Sequence, residues 1–198
     1  MPLDIPRVLD RLSYRYPSLL VDAVTEHEPG SRMVAVKNVT VNEEYFQGHF
    51  PGTPLMPGVM MIESLAQVAT LLLLADDSDE GSGDARAVLK RVDNAKFRRQ
   101  VLPGDQLSLE VVVRERSTEE AVVHGVAKTG NQVVAQADLL IGFEYGASNI
   151  HDTAIVYPGA VIGAGTVVGP YAVIGHGVKL GKRCRVGASA VLDGDTEI

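Results

Sequence analysis

His49-Phe50-Pro51-Gly52-Thr53-Pro54-Leu55-Met56-Pro57-Gly58-Val59-Met60-Met61-Ile62-Glu63 decides how the rest of the chain is read. A histidine sits in a Gly/Pro-rich loop, Met56-Pro57-Gly58 opens an apolar helix, and that helix takes in a single carboxylate at Glu63. From Val59 to Ala75 nearly every residue is apolar, including Leu71-Leu72-Leu73-Leu74, so the helix is expected to be buried on nearly all sides. At 17 residues, with Glu63 and Gln67 inside, it is too short and too polar to span a membrane.

The few polar positions of this helix carry the chemistry. Glu63, Gln67 and Thr70 fall at i, i+4 and i+7, which places them on one stripe. A carboxylate there loses hydration, and desolvation favours the form that holds a proton it can donate. Pro57 suits a first helical turn, and Gly58 lets a ligand approach the free backbone N–H groups at the positive end of the helix dipole. That end is expected to form an oxyanion site for a thioester or similar carbonyl. An imidazole at His49 and an enclosed acid at Glu63, beside such a helix start, are the parts needed to move a proton next to a carbonyl.

His49-Phe50-Pro51-Gly52-x-Pro54-x-Met56-Pro57-Gly58-Val59, with Glu63 and Ala66-Gln67 after it, resembles the signature of bacterial 3-hydroxyacyl-acyl-carrier-protein dehydratases of the hot-dog fold. Agreement extends to Tyr16-Pro17-x-Leu19-Leu20-Val21-Asp22 and Lys37-Asn38-Val39, and downstream to Val101-Leu102-Pro103-Gly104-Asp105-Gln106-Leu107, so it covers residues 1–145. The resemblance implies that His49 takes the C2 proton of a 3-hydroxyacyl thioester. It also implies that Glu63, from the other subunit of a dimer, assists departure of the C3 hydroxyl as water, and that the Gly58 N–H polarises the thioester carbonyl. Gln67, one turn beyond Glu63, would steady the carboxylate. No metal and no organic cofactor is implied. The pattern departs at Tyr14, where the family commonly has His, and near Val88-Leu89, which lacks the aromatic that gates the acyl tunnel in some members.

Bulk properties fit a soluble cytoplasmic enzyme. The 198 residues leave room for one domain with a sizeable core and a smaller second unit. A single cysteine, Cys184, excludes an internal disulfide framework. The opening Met-Pro-Leu-Asp-Ile-Pro-Arg has no signal-peptide layout, and Asp4 with Pro6 reads as the start of a short helix. A net charge of −7 argues against nucleic acid. Against that acidic balance, Arg86, Lys90, Arg91, Lys96, Arg98 and Arg99 gather six of the 18 Lys and Arg residues. Such a patch near a tunnel mouth would steer in an acidic acyl carrier protein.

Strands are expected at Leu19–Glu26, Arg32–Val39, Ala87–Val92, Gln106–Arg116, Ala121–Thr129 and Gln132–Phe143, giving an α+β hot-dog: an antiparallel sheet wrapped round one long central helix. Alternation is clear in Leu107, Leu109, Val111 and Val113, and in Val133, Ala135, Ala137, Leu139, Ile141 and Phe143. Glu28-Pro29-Gly30 and Lys128-Thr129-Gly130-Asn131 read as hairpin turns. Asp76–Ala85 reads as a mobile loop.

Residues 146–198 change character. Ile150, Val156, Ile162, Val168, Ile174, Leu180, Val186, Leu192 and Ile198 recur every six residues, and Gly follows at Gly163, Gly169, Gly175, Gly181 and Gly187. Ala154, Ala160, Thr166, Ala172, Cys184, Ala190 and Thr196 sit two positions before the aliphatics. This period fits a left-handed parallel β-helix in which three hexapeptides make one triangular coil and the aliphatics stack inside. Its opening, from Ile150-His151 through Ile174-Gly175, resembles the N-terminal coils of UDP-N-acetylglucosamine O-acyltransferase, the first enzyme of lipid A synthesis. The 49 residues make about 2.7 coils at 18 per coil, with no cap. The unit, 146–198, therefore reads as an incomplete solenoid without its own activity. His151 and His176 read as surface decoration, and Cys184 as buried packing.

Dimers of the first domain and trimers of the second suggest a homo-oligomer, a dimer or a trimer of dimers. Three other readings share these parts: an acyltransferase fusion whose transferase needs residues missing here, a hot-dog thioesterase, and an inactive module that assembles the solenoid. The pairing of His49 with Glu63 favours the dehydratase over the thioesterase.

Overall fold

The computed structural model describes residue 12 and residues 14–75 and 86–198. The expectations for Asp4, Pro6 and Asp76–Ala85 fall outside these residues.

Six strands form: β1 (Ala23–Glu28), β2 (Arg32–Asn38), β3 (Arg86–Phe97), β4 (Gln106–Arg116), β5 (Glu120–Thr129) and β6 (Gln132–Glu144), with period-two alternation clearest in β4 and β5. They form one sheet in the order β1-β2-β4-β5-β6-β3. The β1/β2, β2/β4, β4/β5 and β5/β6 pairs are antiparallel. One face carries Leu107, Leu109 and Val111 of β4 with Ala121, Val123 and Ala127 of β5, all buried. Across that face runs α1 (Gly58–Ala75). Its Leu65, Val68, Leu71 and Leu72 are fully enclosed, each contributing about 1.5–3 kcal/mol of burial. The approach is close: a Cβ on Gly125 of β5 would lie 3.1 Å from a Leu65 methyl.

Four expectations need correction. The first strand begins at Ala23, not Leu19, because Leu20 and Val21 are buried in the segment leading into it. The third strand continues five residues beyond Val92 to Phe97; at the sheet edge it needs no alternation, which hid its length. Val133 is only half-buried while Val134 is enclosed, because the register shifts opposite Ala127/Lys128 and the alternation slips by one. Cys184 is half-buried rather than enclosed.

A second set of strands stacks in parallel. β7 (Asn149–Ile150), β10 (Val167–Val168) and β13 (Arg185–Val186) form one sheet. A second contains β8 (Ile155–Val156), β11 (Val173–Ile174) and β14 (Val191–Leu192), and a third β9 (Val161–Ile162) and β12 (Lys179–Leu180). Partners sit one 18-residue coil apart, Ile150 on Val168 on Val186 and Val156 on Ile174 on Leu192. The hexapeptide aliphatics stack inward as a partial β-helix: Val168, Ile174, Leu180 and Val186 are buried, whereas Ile150, Val156 and Ile198 in the outer coils are exposed. Thr166 fills a small-residue slot and bonds the Gly181 carbonyl at 2.7 Å. His151 and His176 are both exposed; His176 packs its ring on Tyr157 and bonds the Pro158 carbonyl at 2.9 Å. The chain thus divides into two compact units, one from residues 14–75 and 87–143, the other from residues 144–198.

Two stability predictions follow from this geometry. A Cβ on Gly163 would stand 2.4 Å from the Gly181 carbonyl group. Gly163→Ala should therefore cost about 1–3 kcal/mol, read as faster amide exchange across β9 and β12. On the sheet, Arg32 holds Glu110 at 2.7 Å and Lys128 adds a contact at 3.2 Å, keeping the Glu110 carboxyl below its usual range. A lowered carboxylate stabilises the fold above its ordinary pKa and loses that contribution as pH falls through the folded value. Glu110→Gln should cost about 0.5–1 kcal/mol at neutral pH and progressively less as acid protonates the carboxyl, checked by urea unfolding across an acid pH series.

Candidate active site

The segment between β2 and α1 is fixed by main-chain bonds before any side chain acts. Val39 N–H donates to the Asp105 carbonyl at 2.9 Å, Gly104 N–H to Val39 at 2.8 Å, and Met56 N–H to Val101 at 2.8 Å. The Val101–Asp105 turn is thus a brace on both sides of the histidine loop. The ammonium of Lys37, almost fully buried, lies 2.5 Å from Glu43, tying the end of β2 to the 3-10 turn Glu44–Gln47. His49 N–H then donates to Tyr45 at 3.0 Å, and the loop closes on itself where Leu55 N–H reaches the His49 carbonyl at 3.0 Å. Gly52 turns the tip at φ +77°, a conformation that suits glycine.

His49 is half-buried against Phe50, ring centroids 4.1 Å apart. Its Nδ1 lies 2.8 Å from the Leu55 carbonyl. A carbonyl only accepts, so Nδ1 carries the hydrogen and Nε2 keeps its lone pair. His49 lines a cavity of about 590 Å³ together with Pro57, Gly58, Met61, Phe97, Arg98 and Arg99. In the first turn of α1 Met60 N–H donates to the Pro57 carbonyl at 3.0 Å, and Gly58 N–H stands at the helix start with no carbonyl one helical turn earlier. Gly58 lies directly against Phe97: a Cβ would stand 2.8 and 2.9 Å from two of its ring carbons, so any side chain there has to displace that exposed ring.

Of the basic cluster, Arg98 and Arg99 line this cavity, bonded respectively to Gln136 at 3.1 Å and to Gln132. Lys90, Arg91 and Lys96 lie along β3 and do not line it. The aliphatic chain of Lys90 covers Gly142, and Arg91 pairs with Asp93 at 2.7 Å.

Glu63 opens onto a different cavity, of about 530 Å³, with Tyr14, Ser18, Glu44, Tyr45 and Met60. It is half-buried in a single copy rather than enclosed, which corrects the expectation of a swallowed acid. One helix produces both cavities. At 100° per residue, Gly58 and Met61 face one side, Met60 and Glu63 the other. The structure therefore brings His49 together with Gly58, and Glu63 together with Gln67, but the two pairs occupy opposite faces of α1.

The i, i+4 stripe is real. Gln67, fully buried, donates from Nε2 to Glu63 Oε1 at 2.9 Å and to the Ser18 carbonyl at 2.8 Å, while its Oε1 accepts Leu20 N–H at 2.8 Å. Two tyrosines join it that sequence reasoning did not place. Tyr14 lines the same cavity as Glu63. The Tyr45 hydroxyl is buried without a hydrogen-bond partner among the described residues. Burial, with Glu63 beside Tyr14 and Glu43 beside Tyr45, pushes both phenols up, so both keep their protons. Tyr14 lies 49 positions before Glu63, and no local pattern links them. Among the described residues no group of three or more His, Cys, Asp or Glu is placed to hold a metal ion, and no helix is long and apolar enough to cross a membrane.

A six-stranded sheet wrapped on one helix, with a histidine loop at the helix start, defines a hot-dog protein. The model of the FabA-like domain matches residues 12–138, and that of the bacterial transferase hexapeptide (six repeats) matches residues 159–194. The chain is 48% identical over 139 residues to the 3-hydroxyacyl-[acyl-carrier-protein] dehydratase FabZ of Enterococcus faecalis, covering 70% of this chain and 96% of that protein. It is 46% identical over 150 residues to the FabZ of Pediococcus pentosaceus, covering 76% and 97%. In fold it is similar to a chain of the dehydratase heterocomplex ApeI:P from Xenorhabdus doucetiae, at TM-score 0.59 and 14% identity over 69% of this chain and 90% of that one. The chain belongs to the FabA-like family of 3-hydroxyacyl-[acyl-carrier-protein] dehydratases, with a hexapeptide-repeat unit following the family domain.

The packing of Phe97 on Gly58 can be tested directly. Gly58→Ala should destabilise the fold by about 1–3 kcal/mol through overpacking. Adding Phe97→Leu, which frees the space, should recover part of that loss in denaturant titrations.

Proposed function

We propose that this chain dehydrates (3R)-3-hydroxyacyl-acyl-carrier protein to the trans-2-enoyl thioester, as its family implies. The observation that carries the reading is the His49 tautomer: Nδ1–H is committed to the Leu55 carbonyl, which leaves Nε2 as a base in the cavity beside Gly58.

His49 Nε2 removes a C2 proton. The electrons of that C–H bond move toward the thioester carbonyl, whose growing negative charge is met by the Gly58 N–H and the helix dipole. The C2–C3 double bond forms as the C3–oxygen bond breaks, and Glu63 gives its proton to the departing hydroxyl, releasing water. The proton on His49 then restores the acid form of Glu63. The chain's own side chains and backbone supply every group in this sequence, with Gln67 steadying Glu63.

Because His49 and Glu63 of one copy face opposite sides of α1, a working pair takes the histidine from one copy and the glutamate from a second. The surface supports such a dimer. β3 is a 12-residue sheet edge, and Phe50, Val59, Val92 and Phe97 are exposed around it and the helix start. Arg98 and Arg99 at the cavity, with Lys90, Arg91 and Lys96 along β3, would receive an acidic carrier protein. The solenoid would add threefold contacts, giving a trimer of dimers. A link to lipid A synthesis draws on the hexapeptide unit alone, to which we assign no catalytic residue.

Turnover of 3-hydroxydecanoyl-carrier protein tests this. His49→Ala and Glu63→Ala should each lose about 100- to 10,000-fold. Mixing the two inactive proteins under exchange conditions should restore about a quarter of wild-type activity, since a mixed twofold dimer carries one intact site. Same-copy sites would give no recovery.

A further inference from the structure

Arg32 sits among Glu26, Glu28 and Glu110, and Arg91 pairs with Asp93, so carboxylates meet the charge of both. Arg98 and Arg99 are held differently. The Arg98 guanidinium donates to the Gln136 side-chain oxygen at 3.1 Å, and that of Arg99 to the Gln132 side-chain oxygen. Among the described residues neither pairs with a carboxylate. A neutral amide fixes the direction of a guanidinium without cancelling its charge.

Both glutamines belong to β6, and Arg98 N–H donates to the Val134 carbonyl of the same strand at 2.8 Å. The segment leaving β3 is thus pinned to β6. It sets two exposed, uncompensated positive charges side by side on the cavity that holds His49 and Gly58. At about 590 Å³ that cavity admits a small-molecule arm, but not the surface of a protein. We propose that Arg98 and Arg99 form a phosphate site at the mouth of this cavity, holding the phosphodiester of the arm by which an acyl thioester hangs from its carrier protein. The inference rests on a carrier-bound 3-hydroxyacyl thioester being the substrate.

The donors suit that ligand. A guanidinium offers five N–H groups in a planar fork; one bond to glutamine leaves the others for phosphate oxygens, which the fork meets two at a time. The thioester end of the arm reaches inward to His49 and Gly58, and the charged end stays at the exposed arginines. The phosphate takes no part in making or breaking bonds, so its contact is equally strong before and during the reaction. Losing it raises KM and leaves kcat unchanged.

The test uses the full chain, wild type beside an Arg98→Gln/Arg99→Gln double variant. Three substrates share one acyl group: 3-hydroxydecanoyl-carrier protein, 3-hydroxydecanoyl-phosphopantetheine and 3-hydroxydecanoyl-pantetheine, the last two differing only in the phosphate. The wild type should prefer the phosphorylated small thioester by about tenfold in kcat/KM. That preference should collapse in the double variant, and KM for the carrier substrate should rise by a similar factor. A wild type with no preference, or a variant that keeps it, would overturn the assignment. So would a loss confined to the carrier substrate, which would make the arginines readers of the carrier surface, or an equal loss on both small thioesters, which would make them structural. His49→Ala, run alongside, separates the two readings. An inactive wild type or a fully active His49→Ala removes the dehydration and this site with it, whereas a His49-dependent enzyme whose double variant keeps the phosphate preference removes only the site.

Discussion

An almost unbroken apolar helix must be covered along most of its length, and the rest of the first unit answers that constraint. Enclosing α1 takes a sheet wide enough to cover one face and connecting segments to cover the others, and Leu20, Val21, Phe46, Met56 and Val101 supply the latter from outside the strands. Packing at this density fixes the helix rigidly. Its two chemically useful features then inherit that rigidity: the Gly58 N–H at its start, and the carboxylate one turn in. Polar atoms on such a helix must be bonded or lie at an opening. Gln67 is bonded three times to the segment at residues 18–20 and to Glu63. Glu63 lies at an opening.

The histidine loop is positioned by different means. Its Met56 is buried in the core, and hydrogen bonds with one ion pair set the rest: Met56 N–H to Val101, Leu55 N–H to His49, and Lys37 to Glu43. The most informative of these is the side-chain bond from His49 to the Leu55 carbonyl, since it decides which ring nitrogen is free to act. A carbonyl six residues away in the same loop thus sets the chemistry of the base. The Val101–Asp105 turn, which by sequence alone belongs to the family resemblance, acts as a mechanical brace.

The two units obey unrelated rules of construction. In the first, a period of two on the strands meets an apolar helix, and the core is a layer between them. In the second, a period of six places one aliphatic per hexapeptide on the axis of a coil, and each coil covers the next. Successive coils come close through their backbones, as at Gly163 over Gly181. Glycine is there for space between coils, and the same residue at Gly52 serves a turn.

The sequence by itself determined the elements with strong internal periodicity and the chemistry carried by neighbours in the chain. Alternation in β4 and, from Ala135 to Ile141, in β6, the apolar run of α1, and the six-residue repeat could each be read locally, because each residue's environment follows from its phase in a regular element. His49, Gly58, Glu63 and Gln67 were legible for the same reason, lying within one loop and the first three turns of a helix. The tertiary structure alone decided what depends on contacts between distant segments. It set the length of the edge strand β3, where exposure erases the alternation, and the slip at Val133/Val134 caused by a register shift against β5. It brought Tyr14 to Glu63 and Phe97 to Gly58. It also put His49 and Glu63 on opposite faces of one helix, although fourteen positions separate them in the chain. A sequence reports spacing along a strand or helix, but not which faces of that element its neighbours leave open.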